Sequence, residues 1–317
     1  MIQSLSIVIP IYNSEKSLPI LLERLGNQLP RLAEHWEVIL VNDGSPDRSW
    51  QVIQGALASH AWLRAIDLMR NYGQHNALLC GIRNAQHEVI VTMDDDLQNP
   101  PDEIGGLLAK LQEGYDVVYG YPREESHGLL RNLASRITKK VLQAGMGVDV
   151  ASRVSSFRAF RAEVREGFEG YRGAFVSIDV LLSWSTARFA AIPVNNPPRE
   201  LGESNYTLRK LIAHALNMVT GFSIVPLQIA SILGFGFAVF GMGTLGYVVV
   251  LYVINGGSIP GFPFLASLIS IFSGVQLFSL GILGEYLARI HFRTMDRPCY
   301  AVRTERTSTT KPGGPAK

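Results

Sequence analysis

Through the first hundred residues, short apolar runs alternate with segments whose apolar residues recur every three or four positions. Leu5-Ser6-Ile7-Val8-Ile9-Pro10, Trp36-Glu37-Val38-Ile39-Leu40-Val41, Leu63-Arg64-Ala65-Ile66-Asp67-Leu68 and Glu88-Val89-Ile90-Val91-Thr92-Met93 have the length and composition of strands. Residues 18–29, 50–57 and 76–85 carry helical spacing. Strands alternating with helices predict an α/β domain whose mostly parallel sheet is covered on both faces. In such sheets ligands gather beyond the carboxyl ends of the strands. Tyr12-Asn13, Asn42-Asp43-Gly44 and Asp94-Asp95-Asp96 each follow a predicted strand, so periodicity alone locates a site.

The pattern then changes. In 129–144, Leu129, Leu130, Leu133, Ile137 and Val141 fall three or four apart, with Arg131, Arg136, Lys139 and Lys140 filling much of the rest. This is a basic amphipathic helix, docked on the domain with a solvated basic face or laid on a membrane surface. Residues 208–219 repeat the pattern. Two uncharged apolar stretches follow, 226–254 and 262–284. Each exceeds the roughly 20 residues that cross a hydrocarbon core as a helix. The connector 255–261 is short and rich in Gly and Pro, so the spans are expected to form a transmembrane hairpin. Arg209 and Lys210 precede it and Arg289, Arg293 and Arg297 follow, which by the positive-inside rule puts both ends in the cytoplasm. The expected organisation is a cytoplasmic catalytic domain over 1–205, a juxtamembrane helix over 206–225 and a hairpin over 226–290, with spans near 226–254 and 262–287. A basic tail over 291–317 completes it, with disorder expected from Thr304 onward because the end is rich in Thr, Pro, Gly and Lys. Glycines 234, 236, 241, 243 and 246 offer close helix approach in the first span.

Composition sharpens this picture. A net charge of +2 over 317 residues gives no argument for a nucleic-acid partner. Cys80 and Cys299, the only cysteines, lie far apart in sequence, which fits a reducing compartment and excludes a disulfide framework. Met1-Ile2-Gln3-Ser4 lacks the basic start of a secretory signal, and the apolar run after it reads as a strand.

The chemistry concentrates in Asp94-Asp95-Asp96-Leu97-Gln98. Three carboxylates at a strand end repel one another unless a cation sits among them. Mg²⁺ or Mn²⁺, which prefer oxygen ligands and share them with substrate phosphates, suit the site. Asp94 and Asp96 alternate in an extended segment and so share a side, and Gln98 extends the series.

Four motifs occur in order: Ile7-Val8-Ile9-Pro10-Ile11-Tyr12-Asn13, Val41-Asn42-Asp43-Gly44-Ser45, Arg70-Asn71-Tyr72-Gly73-Gln74-His75 and Asp94-Asp95-Asp96-Leu97-Gln98-Asn99-Pro100-Pro101. Together they resemble the inverting family 2 glycosyltransferases of the GT-A (Rossmann-like) fold, and among them the polyprenyl-phosphate glycosyltransferases. Arg199-Glu200-Leu201-Gly202-Glu203-Ser204-Asn205-Tyr206 and Leu283-Gly284-Glu285-Tyr286-Leu287-Ala288-Arg289-Ile290 extend the likeness, which covers roughly residues 4–300. The resemblance implies a nucleotide-sugar donor, UDP-linked in the bacterial branch, a polyprenyl (undecaprenyl) phosphate acceptor, the inner membrane as location and a homo-oligomer, a tetramer in relatives. It places Pro10, Tyr12, Asn13, Asp43, Gly44, Arg70, Gly73, Asp94 and Asp95 on the donor, and Asp94, Asp96 and Gln98 on the metal. It places Arg123, Arg131, Ser135, Arg199 and Ser204 on the acceptor, and Asp96 and Arg158 at the reaction centre. His75 reads as part of a polar loop shaping the donor site rather than as a base.

Two positions depart from the family pattern. Ser152-Arg153-Val154-Ser155-Ser156-Phe157-Arg158 has no carboxylate where many relatives carry an Asp, the nearest being Asp149. Asn205 stands where close relatives usually have Lys. The implied reaction is one in-line displacement with inversion. A lipid phosphate is already anionic at neutral pH, so a strong general base is less necessary than for a hydroxyl acceptor. Glucose, N-acetylglucosamine, aminoarabinose, galacturonic acid and mannose all remain open as the sugar. The rival readings are a processive polysaccharide synthase, for which the Gln-x-x-Arg-Trp motif is missing, an inactive membrane scaffold that binds nucleotide-sugar or a partner protein, and a nucleotidyltransferase.

Overall fold

The computed structural model of the chain describes residues 2–123, 153–173, 176–197, 225–254 and 261–308. The chain divides into two compact units, Met1–Ile212 with Asp296–Lys317, and Ala213–Met295.

The first unit is built on a sheet. Strands β1 (Ile2–Ile11), β2 (Ala33–Asn42), β3 (Leu63–Leu68) and β4 (Val89–Thr92) run parallel, with β1 hydrogen-bonded to both β2 and β4 and β2 to β3. Helices α1 (Leu18–Gln28), α2 (Ser49–Leu57) and α3 (Gln74–Asn84) alternate with them, as the periodicity predicts. After α4 (Ile104–Gln112) come β5 (Val117–Pro122) and β6 (Arg158–Arg161), and after α5 (Ile178–Ser185) comes β7 (Phe189–Val194). The sheet order is β7-β5-β6-β4-β1-β2-β3-β8, where β8 is Val302–Thr307. Only β6 and β8 run antiparallel to their neighbours. The carboxyl ends of β1–β5 and β7 therefore share one edge of the sheet with the amino ends of β6 and β8.

Covering both faces explains the composition. Leu5 to Ile11 of β1 are buried without interruption, as expected for a central parallel strand. Helix α1 turns Leu18, Leu21, Leu22 and Leu25 inward, and α4 does the same with Ile104, Leu107, Leu108 and Leu111, each a stripe of 3.6-residue period. Gly81 lets α3 lie close on the sheet, since a Cβ there would stand 2.3 Å from Val8 Cγ1.

The strand β8 corrects the expectation of disorder from Thr304 onward. Thr304–Thr307 instead pair with β3 as the last strand of the sheet. Residues 309–317 lie outside the described residues.

The second unit contains α6 (Val225–Ile254) and α7 (Phe262–Thr294). Both are long and apolar enough to cross a membrane, over Pro226–Ile254 and Ile271–Phe292. Their apolar side chains face outward, Phe235 at 73% and Val253 at 74% exposure. The two helices touch where Phe272 meets Phe237 and Phe240, and Gly241 leaves room for that ring. The amphipathic segments expected at 129–144 and 208–219 lie outside the described residues.

Candidate active site

The carboxyl-end edge is cross-tied by directed polar contacts. Asn13 takes a positive φ of 60°, which Asn tolerates better than most residues, and its amide donates to Ser45 Oγ at 3.2 Å. The Ser14 amide donates to Ser49 Oγ at 2.7 Å, and the Glu15 amide to Asp47 Oδ2 at 3.1 Å. These bonds lock the loop after β1 to the loop after β2. Pro10 is buried in β1, whereas the Tyr12 side chain, 46% exposed, stands at the rim.

Asp43 is buried at the end of β2, and its carboxylate accepts from the amides of Tyr72 at 2.7 Å and Gly73 at 2.8 Å. Burial raises its carboxyl above the ordinary range, and the two amides oppose that shift. Gly44 has φ +63°, and a Cβ on it would stand 2.6 Å from the Arg70 carbonyl carbon, so only glycine fits without displacing that backbone. The loop that bears Arg70 is thus seated directly on Asp43-Gly44. Arg70 is exposed, with its guanidinium 4.6 Å from the centre of the Tyr72 ring.

The three aspartates after β4 separate by direction. Asp94 Oδ1 accepts from Gln74 Nε2 and Oδ2 from Ser156 Oγ, both at 2.6 Å. Asp95 turns the other way, where its Oδ2 accepts from the Tyr12 amide at 3.3 Å and from Ser14 Oγ. Burial, with help from Asp94 and Asp96, pushes its carboxyl up to about 6. Asp95 thereby brackets the loops after β1 and β4. Asp96 accepts the Gln98 amide at 3.1 Å, and between them Leu97 adopts φ +63° with its side chain 2% exposed. A left-handed leucine is costly and persists only where packing imposes it.

Beneath Asp94 lies a buried polar chain. Ser156 precedes Phe157 and the strand β6, whose first residue Arg158 pairs in register with Thr92 at the end of β4. Arg158 is 1% exposed. It donates through Nε to Thr92 Oγ1 at 3.0 Å and through Nη1 to Asp179 Oδ1, and lies 5.9 Å from the centre of the Tyr119 ring. Thr92 Oγ1 in turn donates to the Ser156 carbonyl at 2.8 Å. Burial first, then the Asp179 carboxylate, holds the Tyr119 phenol well above its ordinary range, so it stays a neutral donor to Asp179 at 3.1 Å. His75 Nδ1 accepts the Ile178 amide at 3.4 Å, which ties the start of α3 to the start of α5.

Among the sequence-derived residues, the structure brings Tyr12, Asn13, Asp43, Gly44, Gly73, Asp94, Asp95 and Asp96 to one polar edge. Arg158 sits below that edge with its charge met by Asp179. Arg123 is exposed just past β5, beside a cleft of about 460 Å³ that Pro100, Asn195 and Pro197 also line. Arg131, Ser135, Arg199 and Ser204, like Asp149 and Asn205, lie outside the described residues. Gln74, Ser156, Thr92 and Asp179 escaped the sequence reading as functional positions. The signal for Asp179 was a lone carboxylate inside the apolar run Ile178-Asp179-Val180-Leu181-Leu182.

Among the described residues no group of three or more His, Cys, Asp and Glu side chains is placed to hold a metal by itself. A hard divalent cation held by one or two carboxylates and completed by diphosphate oxygens needs no such group. The oxygen donors Asp94, Asp96 and Gln98 fit that chemistry, since Mg²⁺ and Mn²⁺ take carboxylate and amide oxygens as ligands.

The family model for glycosyl transferase family 2 matches residues 6–168. An undecaprenyl-phosphate 4-deoxy-4-formamido-L-arabinose transferase of Shewanella sediminis is 36% identical over 305 residues, covering 95% of this chain and 92% of that protein. The transferase of the same name from Yersinia enterocolitica is 35% identical over 306 residues, covering 95% and 93%. Among solved structures, glucosyl-3-phosphoglycerate synthase of Mycobacterium tuberculosis, in complex with Mn²⁺, UDP and phosphoglyceric acid, superposes with a TM-score of 0.51 at 19% identity, covering 69% of this chain and 76% of that one. That likeness establishes a common GT-A fold.

Proposed function

Since the chain belongs to glycosyl transferase family 2 and is a glycosyltransferase, we propose that it transfers a sugar from a nucleotide, UDP in the first instance, to the phosphate of undecaprenyl phosphate at the cytoplasmic face of the inner membrane. The observation that carries this reading is the pair Asp94 and Asp96 at the end of β4, with Asp94 fixed from both sides by Gln74 and Ser156. Full-length relatives at 35–36% identity support the lipid acceptor and make a 4-formamido-arabinose the first sugar to try. Two helices of spanning length support a membrane enzyme that meets its acceptor in the bilayer.

The geometry supports a division of labour. Tyr12, Asn13 and the seated loop bearing Arg70 line the nucleotide, with Asp43 and Gly44 as the base of that loop. Asp94, Asp96 and Gln98 would hold Mg²⁺ or Mn²⁺ on the diphosphate. The bound ion would supply neutralisation of charge on the departing nucleotide. Arg123, with Arg131, Ser135, Arg199 and Ser204, would hold the acceptor phosphate, for which the planar guanidinium fork is suited. The phosphate oxygen attacks the anomeric carbon in line, the bond to the nucleotide diphosphate breaks, and configuration inverts. Arg158 keeps the β4–β6 junction fixed below the reacting atoms. Rate enhancement then rests on positioning and preorganised charge.

The test is a transfer assay with the detergent-solubilised full chain, short polyprenyl phosphate and a panel of UDP-sugars, read by mass spectrometry of the lipid fraction. The expected product is a lipid-linked sugar that disappears on EDTA treatment and returns with Mn²⁺ or Mg²⁺. Tight nucleotide-sugar binding with no lipid product from any donor would instead favour the scaffold reading.

A further inference from the structure

The segment after α7 carries none of the residues assigned above to donor, acceptor or metal, yet it reaches the donor edge. Met69, the first residue beyond β3, is tied to it at both backbone groups. The Met69 amide donates to the Ala301 carbonyl at 2.9 Å, and the Met69 carbonyl accepts from Arg303 Nη2 at 2.9 Å. Arg303 Nη1 also lies 3.5 Å from Asp67 Oδ2, whose other oxygen accepts from Asn42 Nδ2 at 2.7 Å. The pairing of β3 with β8 shifts register between Asp67 and Leu68, at the point where Arg303 reaches across. Upstream, Cys299 Sγ donates to the Gly173 carbonyl at 3.3 Å, and the Tyr300 ring faces the guanidinium of Arg83 on α3. That same Arg83 donates to the carbonyls of Glu169 at 2.7 Å and Tyr171 at 2.6 Å.

The loop from Met69 to Gly73 is therefore held at two ends. Asp43 grips the amides of Tyr72 and Gly73, and the post-helix segment grips Met69. Arg70 and Asn71 stand exposed between these supports. A short loop fixed at both ends presents its central side chain in few conformations, and release of one end restores chain entropy and spreads that side chain over many.

We propose that residues 299–307 form a strap that positions the donor loop, with Arg303 as its positioning residue: by holding Met69 it fixes Arg70 for the nucleotide diphosphate. The proposal rests on the donor-site reading above. Because the Arg303 side chain is 57% exposed, its loss acts on the loop and leaves the sheet folded.

The experiment is hydrogen–deuterium exchange of the peptide spanning 69–73, with UDP affinity by calorimetry, on the full-length protein and on Arg303→Ala and Arg303→Lys. In the wild type, UDP is expected to slow exchange of that peptide. In Arg303→Ala the unliganded loop exchanges faster and UDP binds about tenfold more weakly, the scale of one charge-assisted hydrogen bond. The donor KM rises in step while the acceptor KM holds, and Arg303→Lys, which can still donate to the Met69 carbonyl, recovers part of the loss. A merely structural role would lower the melting temperature and leave loop exchange and UDP affinity alone. Wild-type exchange and wild-type affinity in Arg303→Ala, with UDP protecting the loop in the wild type, would overturn the strap and leave the donor site standing. Failure of UDP to protect the wild-type loop would remove the donor-site reading, and the strap with it.

Discussion

The sheet buries two arginine–carboxylate pairs of similar chemistry at opposite ends. At the amino ends of β3 and β4, Glu37 accepts from Arg64 at 2.8 Å, from Ser6 Oγ at 2.7 Å and from the Gln86 amide at 2.7 Å. Arg64 also donates to the Asn84 carbonyl at 2.8 Å and pairs with Glu305 of β8. At the carboxyl end of β4, Arg158 pairs with Asp179 and contacts Thr92, which leads through Ser156 to Asp94. Both pairs satisfy buried charge, as such charge must be. The first pair is bonded to strands, to the last residue of α3 and to the turn after it, whereas the second is three hydrogen bonds from a carboxylate of the candidate metal site. In open α/β sheets the carboxyl edge binds ligands, so position along the strand decides whether the same interaction serves stability alone or also chemistry.

Substitutions can break or sharpen this contrast. The largest effect is expected for Arg158→Ala, which strands Asp179 in the interior. Stability should fall by about 3–5 kcal/mol in denaturant unfolding, and turnover should fall with it at temperatures where the variant is still folded. Arg64→Ala should cost about 2–3 kcal/mol, because Glu37 keeps its Ser6 and Gln86 partners and the site is partly open to solvent. Its kcat and KM, measured below its melting transition, should match the wild type. A loss of turnover in Arg64→Ala equal to that in Arg158→Ala would erase the distinction between the two ends. Ser156→Ala is the smallest change and the sharpest. It removes one hydrogen bond from Asp94, so stability should move by less than about 1 kcal/mol while activity at limiting Mn²⁺ drops about tenfold and partly recovers at high Mn²⁺. Full activity at all metal concentrations would detach the buried chain from the site.

The same contrast explains what was legible in the sequence. Strands β1–β4 and helices α1–α3 alternate in a period that apolar residues display directly, and the two spanning helices need only length and hydropathy. The polar edge could be located for the same reason, since Tyr12-Asn13, Asn42-Asp43-Gly44 and the Asp94 triplet each follow an apolar strand. Its wiring could not. That Asp95 turns to Tyr12 and Ser14 while Asp94 turns to Gln74 and Ser156 depends on contacts between residues about 20–80 apart in sequence. Strand β6, Arg158-Ala159-Phe160-Arg161, is too short and too charged to show a period. Strand β8 has the composition of a solvated tail, and only the open edge of β3 makes it a strand.

Asp96 is the second carboxylate of the candidate metal pair, and the assignment of metal-dependent transfer to this edge turns on it. Its most direct test compares wild type and Asp96→Asn in the lipid transfer assay across a Mn²⁺ titration, with matched circular dichroism and melting temperature. The expected result is product formation by the wild type that saturates with Mn²⁺, and a loss of at least about a hundredfold in Asp96→Asn at every metal concentration, with the fold intact. Wild-type turnover in Asp96→Asn would contradict the assignment of the β4 carboxylates as the centre of the reaction.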